Sequence, residues 1–153
     1  AVEFVRTLRG LHTRPIHALC AIALADHSYV LTGGADGKLN LLDGRNLLNT
    51  ETPLWSHSVG SSSILSITAT HSNGQVVCSV VGTDGCLREW SLDPTSTLTL
   101  RGERQLGSQL LAVAPLSRLV VSLDHGLHSV DQVDPSRNQS ITAMPMVKEG
   151  KVI

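Results

Sequence analysis

The stretch GGADGKLNLLDG, residues 33–44, combines a turn with the start of a strand. Asp36-Gly37 suits a tight hairpin turn, because Asp folds its carboxylate back onto the turn backbone and Gly accepts a positive φ. Around it lie short apolar runs bounded by Gly, Asp, Asn, Ser or Pro. FVRTL (4–8), IHALCAIAL (16–24), YVLTG (29–33) and KLNLL (38–42) come first; ILSITAT (64–70), VVCSVV (76–81) and CLREW (86–90) follow. No helical periodicity competes with them. Such punctuated runs predict an all-β chain of meandering antiparallel strands.

The same order of elements occurs twice. GADGKLNLLD (34–43) aligns without a gap on GTDGCLREWS (82–91), so Asp84 matches Asp36, 48 positions on. A repeat of this length suits stacked or radial four-stranded units. Each Asp also has a His upstream: His12 lies 24 residues before Asp36, and His57 lies 27 before Asp84. The three extra residues fall in SVGSSS (58–63), read as a loop.

RGLHTRPIHAL (9–19) followed by LTGGADGKLNLLD (31–43) resembles a WD40 repeat of the kind found in G-protein β subunits. The resemblance implies a β-propeller, with a structural hydrogen-bond tetrad of His, Ser or Thr, Asp and Trp in each complete repeat. Mapped onto the first repeat, the tetrad is His12, Thr32 and Asp36, with Leu42 in the Trp position. In the second it is His57, Asp84 and Trp90, with Val80 in the hydroxyl position. Neither set is whole. Asp-Gly is kept for the turn, while any large apolar side chain can bury the third strand, so Asp36 is expected to be held by His12 and nearby backbone amides.

Beyond residue 94 the pattern weakens. RQLGSQLLAVAPLSRLVVSLDHGLHSVDQVD (104–134) reads as three further strands, with turns at 115–117 and 124–126, and SITAMPM (140–146) supplies an outer strand. The expected architecture is a partial β-propeller of roughly three four-stranded antiparallel blades, with repeats at about 9–48, 54–100 and 104–146. Propellers have about four to eight blades, so three do not close. FVRTL would be the outermost strand of a preceding blade. The expectation is a piece of a longer propeller (the sequence starts at Ala1, not Met), a partner subunit that completes the ring, or a second copy making six blades.

Composition narrows the function. The chain has 153 residues and a net charge of -1, with 41% hydrophobic and 16% charged residues, which suits a packed domain with no field drawing it to nucleic acid or anionic membrane. No apolar run approaches the ~20 residues of a membrane helix. Cys20, Cys78 and Cys86 are odd in number and lack C-x-x-C spacing, which argues against a disulfide framework or a zinc site and for a reducing, intracellular compartment, cytoplasmic or nuclear. Seven histidines form no metal-ligand spacing. His17 and Cys20, three apart on a strand, face opposite ways. Ser122, Asp124 and His125 contain triad residue types, but one short strand-turn makes them diverge. No phosphate loop is present, and the scattered arginines lack the aromatic platforms of a single-strand binding groove. No catalytic residue, metal or cofactor is expected.

What remains is surface. In the resembled family the loops on one rim carry binding, which here points to Thr13, Arg14, Ser61 and Thr83. Arg14 is the strongest contact, since a guanidinium engages carboxylate or phosphate with two parallel bonds. The reading is a non-catalytic scaffold for protein–protein interaction within a larger complex. The alternative is a propeller subunit of an RNA-associated assembly, in which any contact with nucleic acid would be local and supported by neighbouring subunits.

Overall fold

In the computed structural model the described residues are 3, 6–47, 52–114, 119–122, 126–129, 142–143, 147–148 and 151–152. They contain strands and turns and no helix. The first sheet runs in the order β1 (Ile16–Ala23), β2 (Ser28–Gly34), β3 (Lys38–Asp43), β4 (Trp55–Ser58). The second is β5 (Ile64–Ser72), β6 (Gln75–Gly82), β7 (Cys86–Leu92), β8 (Leu98–Gln105). The third is β9 (Leu110–Val113), β10 (Leu119–Ser122), β11 (Gly126–Ser129), β12 (Thr142–Ala143). A two-stranded ribbon, β13 (Val147–Lys148) and β14 (Lys151–Val152), follows. Every pairing is antiparallel.

The three sheets are blades of a partial β-propeller. β1 lies against β5 and β5 against β9, so the first strand of each sheet is the innermost. The second strand of each blade also touches the first strand of the next. Side chains alternate across the pleat, and the two blade interfaces take opposite faces. Ile22, Leu31, Leu39 and Leu41 meet Ile64, Ile67, Cys78, Val80 and Trp90 between blades one and two. Val81 and Leu87, from the other face of blade two, meet Leu110 and Val120 of blade three. A core so poor in rings is assembled from branched aliphatics, whose apolar burial drives sheet-on-sheet packing.

The repeated turn explains the duplicated motif. Gly37 N–H donates to Gly34 O at 3.1 Å and Gly85 N–H to Gly82 O at 3.2 Å. Gly37 and Gly85 have φ of +76° and +73°. Asp36 Oδ1 accepts from Lys38 N–H and Asp84 Oδ1 from Cys86 N–H, each at 3.1 Å. Asp and Gly therefore act as a unit: the carboxylate caps the turn and the glycine supplies the left-handed residue that closes it.

The sheets do not follow every expected boundary. Trp55–Ser58 pairs with β3 and completes blade one, although the second repeat was expected to begin near 54. Blade two extends to Gln105, past the expected limit near 100. Residues 6–9 form no strand, so FVRTL is not a blade strand over its described part; Arg6 instead reaches Leu47 O at 3.5 Å. Phe4, Val5, Pro115–Ser117, Asp124 and His125 lie outside the described residues.

Candidate interaction rim

One end of the blades gathers the loop before β1, the β2–β3 turn, the loop at 59–63, the β6–β7 turn and the loop at 106–109. Backbone bonds tie these loops together in matching pairs. Ala35 N–H donates to Pro15 O at 2.8 Å, and its counterpart 48 residues on, Thr83 N–H, donates to Ser63 O at 3.0 Å. Val59 N–H reaches Gly37 O and Leu106 N–H reaches Gly85 O, both at 2.8 Å. Ser63 also donates its hydroxyl to Ala35 O at 3.3 Å, joining the two blades at the rim.

Under the first loop runs a buried polar chain. His12 Nδ1 meets Asp36 Oδ1 at 2.9 Å, and His12 Nε2 lies 2.8 Å from Thr32 Oγ1. Asp36 can only accept, so Nδ1–H donates, and Nε2 is left to accept from the Thr32 hydroxyl. Asn40 Nδ2 donates to Leu11 O at 2.7 Å and lies 3.2 Å from the same Nε2, while Asn40 Oδ1 accepts from Ser56 Oγ at 2.7 Å. The second oxygen of Asp36 accepts Thr13 N–H at 2.9 Å. The chain thus crosses three strands, from Ser56 on β4 through Asn40 on β3 and Thr32 on β2, to the loop that enters β1. Burial raises the Asp36 pKa, but the bonds from His12, Thr13 and Lys38 outweigh it, and the carboxyl titrates below its usual range.

The second blade makes its own arrangement. Asp84 Oδ2 pairs with Arg88 at 2.7 Å, and Arg88 Nε continues to Glu103 Oε2 at 3.2 Å. Gln105 Nε2 donates to Asp84 O at 2.7 Å and to Gly107 O at 2.9 Å. His57 does not reach this turn. It sits on β4 of blade one and stacks on Trp55 with ring centroids 5.8 Å apart, and meets Trp90 edge-to-face with centroids 4.9 Å apart. The register explains why: residue 57 is held within strand β4, paired with Leu39 at the outer edge of blade one, and is not part of the loop that precedes β5. Trp90 is buried there against Trp55 and His57, and its Nε1 finds no acceptor among the described residues.

The structure therefore brings His12, Thr32 and Asp36 together, whereas in the second set His57 and Trp90 touch each other and Asp84 pairs with Arg88 instead. Asn40, Ser56 and Arg88 are participants that the motif reading passed over. Their signal was present: Asn40 and Arg88 are 48 residues apart, and each is the polar residue that follows the leucine of the Asp-Gly-x-Leu repeat.

The exposed rim carries Thr13, Arg14 and Ser61. Thr13 contributes its backbone to Asp36, so its loop is anchored beneath the exposed side chain. Thr83 is turned to a structural use, its hydroxyl accepting Ser63 N–H at 2.9 Å. At the opposite end, a cleft of about 630 Å³ lies between the first two blades, lined by Asp26, His27, Tyr29, Asn73, Asp93 and Ser96 among others. No group of three His, Cys, Asp or Glu suited to a metal ion occurs among the described residues, and no helix there is long and apolar enough to cross a membrane.

No family model matches the sequence, and no curated protein matches it. Solved structures do. The computationally designed Ika4 protein is 20% identical, with a TM-score of 0.59 over 93% of this chain and 78% of its own. The Cps50 (Swd1) beta-propeller domain of Myceliophteria thermophila is 17% identical, with a TM-score of 0.55 over 83% of this chain, which spans 42% of that one. At such identities the likeness concerns the fold, and that fold is the propeller.

Proposed function

We propose that this chain is a WD-repeat type, non-catalytic scaffold that offers a rigid loop rim to protein partners within a larger intracellular assembly. The observation that carries the reading is how the reactive residue types are used. His12 and Asp36, the pair most suggestive of acid–base chemistry, are tied to Thr32, Asn40, Thr13 and Lys38 and serve to hold a loop. Above them, Thr13 and Arg14 face solvent from a loop fixed at both ends. Preordered loops bind with little ordering cost, which suits a recognition surface. Arg14 is the anchor of that surface, and the partner it favours presents a carboxylate or a phosphorylated side chain.

The test places a photo-crosslinking amino acid at position 13, beside Arg14, and, separately, at Asp26 on the opposite end, in cells that make the protein. A single, saturable protein adduct at position 13, lost on Arg14→Glu and absent from position 26, supports the reading. Equal, diffuse labelling at both positions refutes it. Salt-dependent RNA capture by the isolated chain would instead favour the RNA-associated assembly.

A further inference from the structure

The 48-residue equivalence extends beyond the turn to the way blades dock. In β1, Ile16 pairs with Gly34 and the register slips before Ala18 pairs with Gly33. In β5, Ile64 pairs with Gly82 and the register slips before Ser66 pairs with Val81. In β9, Leu110 pairs with Ser122 and the slip precedes Ala112 with Val121. Ile16, Ile64 and Leu110 are thus one structural position, and Leu19, Ile67 and Val113 are another.

In blades two and three these positions are the contact to the preceding blade. Ile64 and Ile67, 2% and 8% exposed, press onto Gly33 of β2. A methyl added to Gly33 would collide with Ile64 Cγ2 and lie 3.0 Å from Ile67 Cδ1. Leu110 is fully buried and Val113 partly so, in the cluster that holds Val81 of β6, the counterpart of Gly33. Blade one carries the same docking pair, yet there Ile16 is 51% and Leu19 68% exposed. They are the two most exposed large hydrophobic residues of the described chain, and they occupy the innermost strand.

We infer that this face docks the third blade of a second copy of the chain, head to tail. Strand β10 holds Val121 at the register position of Gly33 and Val81, so blade three continues the same receiving strand. A valine there is what blade two already uses to take Leu110. Two units of three blades give six, within the range in which propellers close. The contact is heterologous, and two copies related by a two-fold axis use it twice, leaving neither docking face open. This inference does not depend on the rim, so its failure leaves the scaffold reading intact.

Sedimentation velocity of the full chain across a hundredfold concentration range tests it. The expected species is a dimer of twice 16.3 kDa, and Leu19→Asp is expected to weaken it at least a hundredfold while the β-sheet circular dichroism is unchanged, because the side chain is exposed in the single chain. Val121→Arg should also dissociate the dimer, and mixing the two variants should restore it, since one interface is then intact and the other opposes Asp to Arg. A wild-type chain that stays monomeric at tens of micromolar overturns the inference. So does a dimer indifferent to Leu19→Asp, or a series of growing open oligomers.

Discussion

Replacing Asp36 by Ala removes one carboxylate and strands three donors: His12 Nδ1–H, Thr13 N–H and Lys38 N–H. The two backbone donors lie near solvent and recover water, so their loss is small. The His12 contact is the expensive one, because the side chains of His12 and Asp36 are 1% and 6% exposed. A hydrogen bond to a charged group contributes ~1.5–3 kcal/mol, and an unsatisfied buried donor adds to the loss. Asp36→Ala should therefore cost ~2–4 kcal/mol, which lowers the melting temperature by roughly 2–4 °C per kcal/mol in a domain of this size. Asp84→Ala is the internal control. Its carboxylate shares an Arg88 contact in which both side chains are about a fifth exposed, and such pairs contribute ~0–1 kcal/mol, to which the turn cap adds ~1 kcal/mol. Chemical denaturation of both variants provides the comparison, and acid titration provides a second check. Because the folded Asp36 pKa is depressed, its stabilisation is fully present above the unfolded value of about 3.9 and is lost as pH falls through the folded one. The gap between wild type and Asp36→Asn should accordingly narrow on acidification below pH ~4. Equal losses for Asp36→Ala and Asp84→Ala, or a gap that widens in acid, would refute the account of the His12 chain.

Three further expectations use other parts of the molecule. Gly37 and Gly74 share nearly the same φ, +76° and +75°, but a methyl on Gly37 would strike the Gly60 carbonyl while one on Gly74 meets nothing within 4 Å. Gly74→Ala should thus cost only the left-handed penalty of ~1–2 kcal/mol and Gly37→Ala distinctly more; equal costs in urea melts would count against the tight rim. Val80→Thr sets a hydroxyl on the strand neighbouring Trp90, one diagonal step along the same face, and should add ~0.5–1.5 kcal/mol by giving the indole N–H an acceptor. A loss of ~1–3 kcal/mol, the cost of an unmatched buried hydroxyl, would show that the indole does not reach it. Cys78 is buried between the blades, and that burial, with Cys20 nearby, pushes its pKa up to about 12, so it should resist thiol reagents at pH 8 until the chain unfolds. Labelling of Cys78 as fast as that of an unfolded control would mean that the blade interface opens readily.

The strands and the duplicated turn were legible because they depend on local chemistry. Asp-Gly specifies its own backbone geometry, and apolar alternation specifies which face is buried, so the all-β meander and the 48-residue period follow from short windows of sequence. Blade membership does not. Trp55–Ser58 reads equally well as the start of one repeat or the end of another, and only its pairing with Lys38–Leu41 decides. The His12 chain was half legible for the same reason: the turn and its Asp are local, while Asn40 and Ser56 join through cross-strand neighbours 16 residues apart.

The two blades divide one hydrogen-bond scheme between them, and the division explains where sequence reading went astray. Blade one keeps the hydroxyl, Thr32, and the His, and it replaces the indole by Leu42; Asn40 then donates to the side of His12 that faces Thr32. Blade two keeps the indole and has Val80 where the hydroxyl would stand, so Trp90 Nε1 is buried without an acceptor among the described residues. A buried donor left in this state costs about 1–3 kcal/mol, which must be offset by the ring's own burial against Trp55 and His57. Aromatic contacts in edge-to-face geometry contribute ~0.5–1.5 kcal/mol each beyond area burial, and Trp90 makes two such contacts. His57 is thereby more useful as a flat surface under the indole than as a partner for Asp84, and Arg88 fills the role it vacates. The second blade is consequently held by packing at its outer strands and by ion pairing at its turn, whereas the first is held by one continuous polar chain. Loss of a single polar group should therefore be felt more in blade one, and loss of a single ring more in blade two.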